Sequence, residues 1–155
     1  MTAVEAYELT TRGGASDFAR IIEACEALGR YCLIGGLAVN CYVEPVYTLD
    51  ADFVIGRDAH APSVPFASEL RIQFTTDARY QPFLSRSVES EVLGVRAKVA
   101  CLEDVTRGKL WAWSDPQRRL SKRKKDELDL IRLAEAHSEL KAFYPDELRQ
   151  QLDRA

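Results

Sequence analysis

The sequence predicts an α/β fold, also classed as α+β: a small mixed sheet flanked by helices, with a helical C-terminal part. Three observations carry this expectation. Short runs at Tyr31–Ile34, Tyr47–Ile55 and Glu69–Asp77 have the length, apolar content or period-two alternation of strands. Segments before and after them space their apolar residues three and four apart, as helices do. Gly, Pro and short polar breaks separate the two kinds of segment. At 155 residues the chain is expected to form one domain, with a core over about 16–101 and a helical part over about 102–155.

Residues 1–14 are polar, end in Gly13-Gly14, and read as a loosely held lead-in. Ser16 reads as the N-cap of a first amphipathic helix. Phe18, Ile22, Cys25 and Leu28 keep its spacing, and Gly29 stops it. Tyr31–Ile34 is the first strand, Gly36–Tyr42 a short helix, and Tyr47–Ile55 the second strand. Residues 57–68, with Pro62 and Pro65, read as a loop. In Glu69–Asp77, Leu70, Ile72 and Phe74 face one way and Arg71, Gln73 and Thr75 the other. Ala78–Arg86 reads as a short helix and Leu93–Cys101 as a further strand. A helix from Leu102, with two acids in its first turn, ends before Pro116. A long helix follows over Leu120–His137, its apolar side assigned to Leu128, Ile131 and Ala134, flanked by Leu130 and Leu133, and Pro145 opens a short terminal helix.

Composition narrows the class of protein. Apolar residues make up 46% and charged residues 29%, as in ordinary soluble domains. The net charge of −3 supplies no global basic field to draw the chain onto nucleic acid. No apolar run approaches a membrane span and no signal-peptide pattern opens the chain, so no membrane partner and a cytoplasmic location are expected. Cys25, Cys32, Cys41 and Cys101 lie in apolar stretches without a Cys-x-x-Cys pair. They read as core thiols rather than disulfides or zinc ligands.

The chemistry concentrates in Tyr31–Gly56. Asp50 and Asp52, one residue apart on a strand, point the same way, with Thr48 on their face and Leu49, Ala51, Phe53 and Ile55 on the other. Two convergent carboxylates repel unless a cation lies between them. Mg²⁺, or Mn²⁺, is suited to this, because it takes one or two carboxylates and completes its shell with substrate phosphates. Gly35-Gly36 precedes the short helix, where free backbone N–H groups can meet an anion. Further along, Lys109 sits on or beside an apolar helix face, where it either binds something or snorkels. Lys122, Asp126, Lys125 and Asp129 form two i,i+4 pairs that a surface ladder would explain. Arg118–Lys125 holds six basic residues in eight, either a solvated helix start or a phosphate-binding run. Of Trp111 and Trp113, one reads as core and the other as free to stack.

The strand, diglycine turn, short helix and following strand with Thr48-x-Asp50-x-Asp52 resemble the nucleotidyltransferase superfamily of the DNA polymerase β type. The later Gly108-Lys109-Leu110-x-Ala112 and Lys125-Asp126-x-x-Asp129 make the chain most similar to AbiEii-type bacterial nucleotidyltransferases, over about Tyr31 to Leu133. This resemblance implies that Asp50 and Asp52 are catalytic and hold Mg²⁺ or Mn²⁺. It also implies that Gly35, Gly36, Thr48, Lys109 and Asp129 contact the nucleotide. Lys125 would be a phosphate ligand and Asp126 an orienting or proton-accepting group. The implied reaction moves an NMP from an NTP to a hydroxyl of RNA, such as tRNA, of a protein or of a small molecule. The implied setting is a toxin–antitoxin or phage-defence system, with a cognate toxin or antitoxin as partner.

Two features of the chain depart from that pattern. Relatives often carry a third carboxylate at the middle of the third strand, where this chain has Gln73; Glu69 and Asp77 stand four residues away on either side, roughly 13 Å along the strand. Relatives also usually carry a longer insertion at 57–68. These two features define an alternative: a degenerate module that binds nucleotide or a partner without turnover.

Overall fold

The computed structural model of the protein describes residues 1–154. In chain order its first elements are α1 (Ala3–Thr10), α2 (Gly14–Leu28), β1 (Tyr31–Ile34), α3 (Gly35–Val39), β2 (Asp50–Ile55) and β3 (Arg71–Thr75). After a 3₁₀ stretch over Ala78–Arg86 come β4 (Val88–Val92), β5 (Val95–Val99), α4 (Leu102–Ser114) and α5 (Leu120–Ala136). A second 3₁₀ stretch, Ser138–Phe143, leads to α6 (Asp146–Asp153). The five strands form one mixed sheet in the order β3-β2-β1-β5-β4. β1 runs antiparallel to β2 and parallel to β5, β2 runs parallel to β3, and β4 runs antiparallel to β5. The α/β expectation holds.

β1 is central because Tyr31, Cys32 and Leu33 are all buried, as a strand covered on both faces requires. On one face α2 lays Phe18 over Phe53, ring centroids 6.2 Å apart, and Phe53 stacks in turn on Phe74 at 5.5 Å. The opposite face carries Asp50 and Asp52, and α4 and α5 close over it. Trp111 of α4 packs with Tyr80 and Phe83 of the first 3₁₀ stretch, centroids 5.3 and 5.6 Å away. Trp113 packs against the core as well, so neither indole stands free. Cys25 and Cys32 are buried thiols whose pKa burial pushes up to about 12, which makes them inert core residues. Among the described residues no helix is long and apolar enough to cross a membrane.

Several expectations require correction. Residues 3–10 form a helix rather than a loose lead-in. Thr2 and Glu5 make a reciprocal capping box: the Glu5 N–H donates to Thr2 Oγ1 at 3.0 Å and the Thr2 N–H to Glu5 Oε2 at 2.7 Å. Ser16 is not an N-cap; α2 begins at Gly14, and Glu8 accepts from the Ser16 backbone N–H at 3.2 Å and from its hydroxyl. The second strand is shorter than Tyr47–Ile55. The Val46 backbone pairs with the Asn40 side chain, and the Thr48 carbonyl accepts from the Tyr7 hydroxyl at 2.8 Å, so these groups are satisfied outside the ladder. Leu93–Cys101 is not one strand. Leu93 and Gly94, both at positive φ, form the turn of a hairpin whose first arm is β4. On α5 the buried stripe is Asp126, Leu130, Leu133 and Ala134, while Leu128 is exposed.

Candidate functional site

β2 and β3 set the acids in register. Asp52 lies opposite Gln73 on β3 and opposite Ile34 on β1, and Asp50 lies opposite Arg71. Arg71 Nε donates to Asp50 Oδ1 at 2.7 Å. Thr48 stands just before the strand, where its Oγ1 accepts from the Asp50 backbone N–H at 3.2 Å. Gly35 is required here. Its φ is +74°, and a Cβ at this position would fall 2.6 Å from Asp52 Oδ2, so the missing side chain leaves the seat of the Asp52 carboxylate. Gly36 carries no such constraint, since a Cβ there would meet Thr48 Oγ1 at an ordinary 3.5 Å.

Burial, and then the neighbouring charge of Asp50, push the Asp52 pKa above the usual carboxylate range. Lys109, Arg118 and Lys122 pull it down through space without cancelling that rise. These cations come from α4, from the α4–α5 turn and from α5, on the wall facing the sheet. Between the two walls lies a cavity of about 280 Å³, bounded by Asp50, Asp52 and Gln73 on one side and by Lys109, Arg118 and Lys122 on the other. A smaller recess of about 100 Å³ adjoins it and reaches Gly36, Thr48, Lys125 and Asp129.

The facing wall is built around Lys109. Its side chain is 12% exposed, and its Nζ lies 3.2 Å from Asp126 Oδ1 and 2.9 Å from Asp129 Oδ2. Burial lowers the Lys109 pKa, but Asp129 and Asp126 more than reverse this, and the amine stays charged. Snorkelling is therefore excluded. Asp126 is buried, and its second oxygen accepts from Arg118 Nε at 2.6 Å. Asp129 also holds Arg132 at 2.8 Å. The two acids that would have formed an i,i+4 ladder thus turn inward to Lys109. Among the described residues no carboxylate lies within 4.0 Å of Lys122 or Lys125, and both amines are exposed at the cavity mouth. Arg123 donates to the Arg118 carbonyl and Lys124 pairs with Glu127, so the basic run is part structural and part free.

Every residue singled out from the sequence as a site residue borders this cavity or its recess. Arg71 and Arg132, which pair with the site acids Asp50 and Asp129, were not singled out, and Arg118 was read only as the start of the basic run. Arg71 was legible as a member of the polar face of its strand. The pairing of Arg118 with Asp126, and the place of Arg132 beside Asp129, become visible only once α4 and α5 are packed. Among the described residues no three His, Cys, Asp or Glu side chains gather as a metal cage. No protein-family model matches this sequence, and no curated protein does.

Proposed function

We propose that the chain is a metal-dependent nucleotidyltransferase that binds an NTP in this cleft and transfers the NMP to a hydroxyl. The observation that carries this reading is the division of the cleft into an acid wall and a cationic wall across about 280 Å³. Phosphates need the second wall and are repelled by the first unless a divalent cation intervenes. Two hard carboxylate oxygen sets, that of Asp52 seated against Gly35, fit Mg²⁺ or Mn²⁺ completed by phosphate and water. Arg71 on Asp50 is already a cation standing at that edge.

In this reading Lys122 and Lys125 draw in the triphosphate, and Arg118 meets it deeper in the cavity. Lys109 holds Asp126 and Asp129 and spreads positive charge behind the phosphates. Asp126, with both oxygens engaged, is an orienting residue rather than a proton acceptor. Asp50 and Asp52 would hold the metal, which would supply acceptor activation and neutralise charge on the departing pyrophosphate. RNA, protein and small-molecule hydroxyls are the acceptor classes, and the toxin–antitoxin or phage-defence setting follows from the resemblance.

A second reading, a module that binds nucleotide without turnover, is favoured by one observation. Gln73 stands directly opposite Asp52, where a third acid would complete the set. The test is NMP transfer with each labelled NTP, Mg²⁺ or Mn²⁺ and total RNA, beside Asp50→Asn and Asp52→Asn. Label that requires both acids supports the transferase. Nucleotide binding without label supports the second reading, and gain of label in Gln73→Asp would identify what was lost.

A further inference from the structure

We propose that Arg71 is a displaceable counter-cation of Asp50, which makes uptake of the divalent metal depend on a bound triphosphate. This rests on the nucleotidyltransferase reading of the cleft. Asp50 is the more open of the two acids, with a third of its side chain exposed, and Arg71 covers one of its oxygens at 2.7 Å. The pairing is built by the register, because the two residues sit opposite each other on parallel strands. It is also loosely held: the Arg71 side chain is 64% exposed, and an exposed ion pair contributes little to stability.

The charge around the cleft points the same way. Asp50, Asp52, Asp126 and Asp129 are outnumbered by Lys109, Arg118, Lys122, Lys125 and Arg132 even before Arg71 is counted. A lone divalent cation therefore approaches a site that is already cationic, at an acid already paired. A triphosphate reverses this. It neutralises the facing wall, brings its own oxygens to the metal, and offers Arg71 an anion in place of Asp50. Metal and nucleotide are then coupled, each raising the affinity of the other by the same factor. With Arg71 gone, Asp50 is free for metal in the absence of nucleotide.

The test is Mn²⁺ binding, followed by water-proton relaxation, to the wild type, Arg71→Gln, Arg71→Lys, and Asp52→Asn, with and without an α,β-methylene triphosphate. The wild type is expected to bind Mn²⁺ weakly alone and more tightly with the analogue. Arg71→Gln is expected to bind Mn²⁺ alone about threefold to tenfold more tightly and to lose part of the coupling. Arg71→Lys, which keeps the charge and controls for folding, is expected to stay near wild type. Equal metal-alone affinity in wild type and Arg71→Gln, with Asp52→Asn still weakened, overturns the role of Arg71 and leaves the nucleotidyltransferase reading standing. No Mn²⁺ binding by any protein, with or without the analogue, overturns both.

Discussion

Asp104, in the first turn of α4, and Asp52, on β2, are both surrounded by basic side chains, yet their charges are answered to different degrees. Asp104 is fully buried and accepts from Arg86 Nε at 2.8 Å, Arg86 Nη2 at 3.0 Å and Arg107 Nη1 at 2.7 Å. Burial alone would raise its pKa, but hydrogen bonds from Arg86, Cys101 and Arg107 lower it on balance. Asp52 has cations near it that act only through space, and its pKa stays raised. An ion cluster by itself therefore marks nothing. The Asp104 cluster is closed: Arg86 ties α4 to the 3₁₀ stretch before β4, and Arg107 pairs with the same carboxylate within α4. The Asp52 cleft is open, with a carboxylate short of cation on one wall and two free amines on the other. Unspent charge of both signs across a cavity is what marks a binding site.

The largest expected effect separates the two clusters by function. Asp52→Asn is expected to lower NMP transfer by at least about 10²–10³-fold, the scale of losing one preorganised charge-stabilising group. Asp104→Asn, once corrected for folded protein, should transfer at close to the wild-type rate. Equal losses in both would break the distinction.

Stability should rank them the other way. Asp104→Asn removes the charge and one of the two acceptor oxygens that serve three charged hydrogen bonds, and is expected to destabilise by about 2 kcal/mol. Arg86 and Arg107 are partly exposed and return to water, which holds the loss below that of a fully buried pair. In a chain of this length that is a fall in Tm of roughly 5 °C, measurable by thermal unfolding. A melt identical to wild type would mean the cluster is not structural.

The seat of Asp52 can be tested by a cycle. Gly35→Ala puts a Cβ in the left-handed region and against Asp52 Oδ2, and is expected to destabilise by about 1–2 kcal/mol. Asp52→Ala removes the collision but not the backbone strain. The double mutant should therefore recover about 1 kcal/mol relative to the sum of the single changes. Strict additivity would show that the close approach of carboxylate and glycine carries no energy.

The open cluster was far more legible in the sequence than the scaffold around it. Asp50, Asp52 and Gly35 fall within one short stretch, and strand period alone places the acids together. What pairs with them is set by strand register and helix packing. Arg71 meets Asp50 because β3 runs parallel to β2 in that particular register, and Arg118 meets Asp126 because the α4–α5 turn folds back. The α5 stripe was misassigned for a related reason. Its buried face is led by Asp126, which Lys109 and Arg118 satisfy from outside the helix, so hydrophobicity alone rotated the stripe toward exposed Leu128. Two scaffold features did carry local signals. Thr2-x-x-Glu5 is a capping-box pattern, and Val88–Val92 alternates before Leu93-Gly94. The hairpin was obscured because Leu93 takes a positive φ that Asn or Asp usually occupies.

The smallest expected effect is the one that most sharpens the contrast, because its sign differs between the clusters. Between the ordinary carboxylate pKa and the raised value of Asp52, the folded chain binds more protons than the unfolded chain, so Asp52 makes stability fall as pH rises through that window. Asp104 does the opposite. Its folded pKa is depressed, so its contribution is complete above the ordinary value and is lost as pH falls through the depressed one. At neutral pH Asp52→Asn should therefore be no less stable than wild type, and more stable by a few tenths to about 1 kcal/mol, the range for like charges on one sheet face. That gain should disappear on acidification as Asp52 in the wild type takes up its proton. The deficit of Asp104→Asn should also shrink, but only at lower pH, where the wild type loses its carboxylate. Urea unfolding of the three proteins across the acid range reads both windows at once. If Asp52→Asn were destabilising at neutral pH, the carboxylate would already be satisfied within the fold, and the acid wall of the cleft would be as closed as the Asp104 cluster.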